Sequence, residues 1–153
     1  MIRDSQPGPG ELPAFVAPVI DPDSAPFWAG LRNRRLVAQR CARCQTLRWP
    51  LRSVCAACRA RDWTEQTLSG RGTVYSWIGV HHPTVPTPPS LLPYWIALVA
   101  VEEEPRILIP AQYDGSAGDL RTGLPVTAAF HDTAPDVTVL HWRRAAAASG
   151  PEG

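Results

Sequence analysis

The sequence predicts a mainly β protein: one short helix, a four-cysteine ribbon and then a small five-stranded barrel. Three observations carry that expectation. All four cysteines stand as two C-x-x-C pairs in "CARCQTLRWPLRSVCAAC", residues 41–58. From residue 70 onward, apolar residues alternate over short runs separated by Pro, Gly and Asp. That same region holds no helical pattern longer than two turns.

A chain of 153 residues suits one ordinary domain, or a small module plus a compact barrel. Seventeen prolines and eleven glycines are many, yet 44% of residues are hydrophobic and six are tryptophan, enough for a core. The N-terminal "MIRDSQPGPG" has no apolar h-region, and the longest apolar run, "WIALVAV" (95–101), is far short of a membrane span. The expectation is a soluble, cytoplasmic protein with no membrane partner. In a reducing compartment, C-x-x-C pairs read as metal ligands or redox pairs ahead of disulfides.

Residues 1–23, with five prolines and little periodic apolar content, read as an extended arm. In "DSAPFWAGLRNR" Ser24 is the expected N-cap, Pro26 sits in the first turn, and Phe27, Trp28 and Leu31 share a face, which predicts a helix over 25–34. "LVAQRC" then alternates like a strand that delivers the chain to Cys41. Helix and ribbon together take residues 24–67.

The second unit, residues 68–144, carries expected strands near 72–82, 94–102, 106–113, 125–131 and 137–142. Five short strands in so few residues suggest a barrel, of which the OB-fold is the common five-stranded kind. "HPTVPTPPSLLP" carries five prolines and should be a stiff, extended loop. "DGSAGDLRTGL" has room for one helical turn, where an OB-fold usually places its helix. "GRGTVY" is read as the start of a strand, "EEE" (102–104) as a solvated turn, and 145–153 as a flexible tail.

Net charge is +1, but residues 32–61 carry nine arginines and no Asp or Glu, leaving six arginines against fourteen acids elsewhere. The cluster has two readings. Its guanidinium groups either solvate a small module or pair, as planar forks, with phosphates of a nucleic acid or of coenzyme A. Arg40, Arg43 and Arg48 are the candidate contacts.

Two knuckles of this spacing can aim four thiolates at one centre, and tetrahedral sulfur coordination satisfies zinc without a redox step. Iron fits the same cage. Such a site has no vacant position, so it supplies folding energy and not catalysis. With the cysteines committed there is no free thiol, no G-x-S-x-G elbow and no phosphate loop, so no catalytic residue is assigned. The histidines are His81, His82, His131 and His141. His81 and His82 point to opposite faces if their strand continues through them; they read as strand-end residues, one of which could face a ligand beside the proline loop. Tyr75, Trp77, Tyr94 and Trp95 read as barrel core or interface.

The run "PFWAGLRNRRLVAQRCARCQTLRWPLRSVCAAC", followed by "SGRGTVYSW", "PYWIALVAVEE" and "TGLPVTAAFHD", resembles a known family. These are the acyl-CoA-associated OB-fold proteins with an N-terminal rubredoxin-like zinc ribbon, long described as a domain of unknown function. The resemblance covers roughly residues 25–143. It implies helix, ribbon and OB barrel in that order, with Zn2+ held by Cys41, Cys44, Cys55 and Cys58. It further implies an auxiliary subunit that accompanies a thiolase-like enzyme of the sterol-carrier-protein type, or a MaoC-like hydratase, acting on acyl-CoA thioesters. Some members serve steroid side-chain degradation, where the thiolase-like partner performs a retro-aldol cleavage. Others bridge a thiolase and a condensing enzyme. One departure is Gln45, where the family commonly has glycine.

On this reading the ribbon arginines lie near the nucleotide end of an acyl-CoA. Phe27, Trp28, His81, His82 and Tyr94, with the 82–93 loop, lie near its acyl end or the partner. A rival is a single-stranded nucleic-acid binder, against which near-neutral charge and an acidic second half weigh. A third reading, a hydrolase or lyase using His81 or His82, lacks a nucleophile or an open metal position.

Overall fold

The computed structural model describes residues 18–84 and 87–146. The expected arm is therefore seen only from residue 18, and the expected tail only to residue 146. Helix α1 spans Ala25–Arg32. Its cap lies earlier than Ser24. The Ser24 N–H donates to Asp21 Oδ1 (2.7 Å), the Asp21 N–H donates to Ser24 Oγ (3.1 Å), and the Ala25 N–H reaches the Asp21 carbonyl (2.9 Å). This reciprocal pair is a capping box with aspartate in the first position. At the other end Arg34 takes φ 56°, while the Arg34 N–H reaches the Leu31 carbonyl and the Arg35 N–H the Gly30 carbonyl, both at 2.9 Å. That is a Schellman turn with arginine where glycine is usual.

Strands β1 (Leu36–Cys41), β2 (Leu47–Arg48) and β3 (Trp63–Leu68) form an antiparallel sheet in the order β2-β1-β3. β3 carries little strand signal in its own residues, yet it pairs with β1 along its whole length, from Leu36↔Leu68 to Cys41↔Trp63.

The barrel strands are β4 (Arg71–Val80), β5 (Tyr94–Val101), β6 (Leu108–Tyr113), β7 (Pro125–Ala134) and β8 (Val137–Arg144). They close in the order β4-β5-β6-β8-β7, with β6 and β8 parallel and every other neighbour antiparallel. This is the OB arrangement. A single 3-10 turn, Ala117–Asp119, stands where one helical turn was expected, and another, Pro89–Leu91, lies in the proline loop. β4 stops at Val80, so His81 and His82 fall beyond it; β7 runs on to Ala134.

Ribbon and barrel share one core. Leu31, Leu36, Ala38 and Leu68 belong to the same buried cluster as Val74, Val99, Ile109, Leu124 and Trp142. Trp142 is fully buried and its indole N–H donates to the Ile109 carbonyl (3.1 Å), so a side chain whose burial contributes about 5 kcal/mol carries no orphaned donor. At Gly72 a Cβ would stand 2.6 Å from Val99 Cγ1, so the glycine lets β4 and β5 approach. A fork from Arg34 to Asp132 (2.9 and 2.5 Å) joins the end of α1 to β7. Among the described residues no helix is long and apolar enough to cross a membrane.

Candidate metal centre

β1 ends at Cys41, and the chain then repeats one local geometry twice. In the first knuckle the Gln45 N–H donates to the Cys41 carbonyl (3.0 Å) and the Cys41 N–H to the Thr46 carbonyl (3.0 Å). In the second, the Arg59 N–H donates to the Cys55 carbonyl (2.8 Å) and the Cys55 N–H to the Ala60 carbonyl (2.9 Å). Each knuckle needs a left-handed residue after its second cysteine, and those residues are Gln45 (φ 59°) and Arg59 (φ 62°). The family glycine absent at Gln45 thus marks a real conformational demand.

The segment between the knuckles is pinned to β1. Gln39, 1% exposed, accepts the Arg52 N–H through Oε1 (2.8 Å), and Leu51 is buried beside it. The Ala42 N–H reaches the Asp62 carbonyl (3.0 Å), which brings β3 alongside.

As a result the four sulfurs converge, all within 4.8 Å of one another. Cys41 and Cys58 are separated by 3.6 Å, Cys44 and Cys55 by 3.7 Å. A tetrahedron with metal–sulfur arms of about 2.3 Å has edges of about 3.8 Å, so the spacing fits a four-thiolate metal. Thiolate formation is prepared locally. The Thr46 hydroxyl and then its N–H bring the Cys44 thiol down to about 6, and the Cys44 and Arg43 N–H groups lower that of Cys41. At Cys58 the Ala60 N–H favours the thiolate, but burial and the neighbouring sulfurs push the thiol up to about 11. A divalent cation removes that last conflict, because it neutralises the sulfurs crowded around it.

The other expected site residues have mixed fates. Phe27 and Trp28 do not stand free. They are half-buried against the core, Phe27 meeting Trp28 at 5.5 Å and Trp49 at 5.9 Å, edge to face. Arg40 is spent internally on Gln66 Oε1 (3.1 Å) and the Gln45 carbonyl (3.0 Å). The guanidinium nitrogens of Arg48 are shielded from solvent and have no hydrogen-bond partner among the described residues. Arg43, Arg59 and Arg61 are exposed, and their side chains make no hydrogen bond or ion pair among the described residues. His82 is exposed, His81 meets Trp95 edge to face at 6.1 Å, and Tyr94 is half-buried. The "EEE" turn is more than solvated: Glu102 pairs with Arg71 (2.7 Å), Glu104 with Arg106 (2.9 Å), and Glu103 accepts the Ser69 N–H.

Of the two readings of Tyr75 and Trp77, core or interface, the structure removes the first: β4 leaves Tyr75, Trp77 and Ile78 exposed by 59%, 36% and 62%. One feature escaped the sequence: Asp114, His131 and His141 come together on the barrel. Burial pushes the Asp114 carboxyl up, but the two imidazoles outweigh it and hold the group below its ordinary value.

A closed OB barrel fused through a common core to a four-thiolate ribbon defines a zinc-ribbon OB protein. Residues 28–64 match the family described as the ChsH2 rubredoxin-like zinc ribbon domain, and residues 65–131 that of the ChsH2 C-terminal OB-fold domain. The chain belongs to this DUF35 family of zinc-ribbon OB-fold proteins.

Among its relatives is a DUF35 domain-containing scaffold protein of Methanocaldococcus jannaschii, 34% identical over 67% of this chain and 73% of the relative. A probable enoyl-CoA hydratase alpha subunit of Thermomonospora curvata is 38% identical over 84% of this chain. The 3-oxo-4,17-pregnadiene-20-carboxyl-CoA hydratase alpha subunit of Mycobacterium tuberculosis is 31% identical, again over 84% of the chain. The chain spans only 39% and 40% of the lengths of those two subunits. A solved structure, the Ltp2-ChsH2(DUF35) aldolase, superposes with a TM-score of 0.75 at 35% identity, covering 83% of this chain and 98% of that one.

Proposed function

We propose that this chain is an auxiliary subunit that docks on a thiolase-like enzyme and helps to enclose an acyl-CoA, with zinc in the ribbon as a structural staple. The observation that carries the reading is the trio Tyr75, Trp77 and Ile78, large apolar side chains left in solvent on β4 of an otherwise well-packed barrel. Large apolar side chains left in solvent are characteristic of contact surfaces for proteins, membranes or ligands, and a protein contact is the use that fits a scaffold. The similarity to the DUF35 chain of an aldolase and to proteins named as scaffolds supports the same role. Arg43, Arg59 and Arg61, free on the knuckle surface, would meet the phosphates of the nucleotide end, and the 82–93 loop with His81, His82 and Tyr94 the acyl end or the partner.

The finer reading is retro-aldol cleavage by the partner of a steroid side-chain thioester, in keeping with the pregnadiene-carboxyl-CoA relative. Two relatives named as hydratase alpha subunits favour a MaoC-like hydratase as the alternative partner.

Co-expression with a thiolase-like partner tests the proposal. A stable hetero-oligomer is expected, and Ile78→Glu should weaken it while leaving the isolated chain folded. Separate elution of the two proteins, or thioester turnover by this chain alone, would overturn it. Tight, steeply salt-dependent binding of a labelled single-stranded oligonucleotide would favour the nucleic-acid rival.

A further inference from the structure

Metal-binding atoms gather at a second place, remote in sequence from the cysteines. Asp114 follows the end of β6, His131 lies on β7 and His141 on β8. Tyr113, Leu140 and Trp142 belong to the buried core and Phe130 packs against it. Strand alternation therefore sends Asp114, His131 and His141 to the outer wall. There Asp114 Oδ1 lies 2.5 Å from His141 Nδ1 and Oδ2 lies 2.6 Å from His131 Nε2. The two imidazole rings sit 4.2 Å apart at 33°, and one ligand atom from each of the three residues falls within 4.8 Å of the others.

The backbone holds this arrangement firmly. The Asp114 N–H donates to the Trp142 carbonyl (2.7 Å), and His141 is paired both to Gln112 on β6 and to Ala129 on β7. Exposure is graded across the cluster: the side chains of His141, Asp114 and His131 are 11%, 29% and 40% exposed, so one side is walled and one opens to solvent.

We propose that Asp114, His131 and His141 form a second, open divalent-metal site on the outer wall of the barrel. Two imidazoles and a carboxylate suit Zn2+, Co2+ or Ni2+ and disfavour Mg2+ and Ca2+, which take oxygen donors. Tetrahedral arms of about 2.0–2.2 Å place neighbouring ligand atoms about 3.3–3.6 Å apart, so binding asks the carboxylate oxygens and the ring nitrogens to part by about 1 Å. Three protein ligands leave at least one position for water or an anionic ligand, unlike the closed sulfur cage. The site also spans the parallel seam of the barrel, where β6 and β8 pair at Gln112↔His141 and Tyr113↔Trp142.

The test is a titration of the tag-free, zinc-loaded full chain with Co2+, followed by calorimetry, visible absorption and imidazole NMR. One further equivalent is expected to bind, with a spectrum lacking thiolate charge-transfer bands, and the His131 and His141 ring signals should shift or broaden. His131→Ala and Asp114→Asn should each weaken that equivalent at least tenfold while elemental analysis still finds the ribbon metal. The proposal is overturned if no further equivalent binds. It also fails if Co2+ binds to wild-type protein without moving the two ring signals, or if both variants retain wild-type affinity.

Discussion

Replacing Arg59 by glycine is expected to stabilise the zinc-loaded protein by about 1 kcal/mol. Arg59 holds φ 62° at the second knuckle, a conformation that costs a residue with a Cβ about 1–2 kcal/mol. Glycine removes that cost but gives back about 0.5–1 kcal/mol through the greater freedom of the unfolded chain. For a chain of this size the balance raises the melting temperature by about 3 °C. The arginine side chain makes no hydrogen bond or ion pair among the described residues, so little is lost with it. Gln45, at φ 59°, differs because its Nε2 donates to the Ala42 carbonyl (3.1 Å). Gln45→Gly forfeits that bond, worth about 1 kcal/mol, and should come out near neutral. Thermal unfolding in excess zinc reads both effects, with Arg59→Ala as the control that removes the charge and keeps the Cβ. If Arg59→Ala stabilises as much as Arg59→Gly, relief of charge repulsion and not backbone conformation is responsible, and the reasoning is refuted.

Stripping the metal with a chelator, or Cys55→Ser, should unfold the ribbon, because structural zinc is worth about 10–16 kcal/mol in small modules. Hydrogen exchange should then show the β1 amides losing protection, and unchanged protection would refute the structural role. Arg48→Met in the isolated chain should be neutral or stabilising by about 1–3 kcal/mol, since the arginine buries nitrogens with no hydrogen-bond partner; denaturant unfolding measures it, and a marked loss would point to a partner for that guanidinium. The Arg106 guanidinium, and then its N–H, hold the Glu104 carboxyl down to about 2. A carboxyl depressed on folding contributes stability that is complete above its ordinary value near 4.5 and is lost as pH falls toward 2. Glu104→Gln should therefore flatten that part of the acid limb in a melting-temperature series, and an unaltered limb would contradict the assignment.

Most strands were legible because their apolar residues alternate, and the cysteine spacing announced the cage directly. β3 was not, since Thr64, Glu65, Gln66 and Thr67 give it little apolar signal and its strand character comes from pairing with β1. Local spacing also could not show that Phe27 and Trp28 turn inward, because the surface that covers them includes Trp49 from the ribbon. Nor could it reveal the Asp114 cluster, whose histidines lie 17 and 27 residues from the carboxylate. The left-handed turn at Gln45 left a trace only as a missing family glycine, and its counterpart at Arg59 left none.

The shared core has a mechanical consequence. With Leu36 and Leu68 packed among barrel residues, and Arg34 gripping Asp132, there is no soft joint between the sulfur cage and the barrel wall. The two ends behave as arms of a rigid set square, and whatever grips both must accept a fixed reach and angle. Specificity for a mate would then reside partly in geometry, and a cut in the chain at Ser69 alone would not release it, because the buried leucines and the Arg34 fork still hold the two ends together.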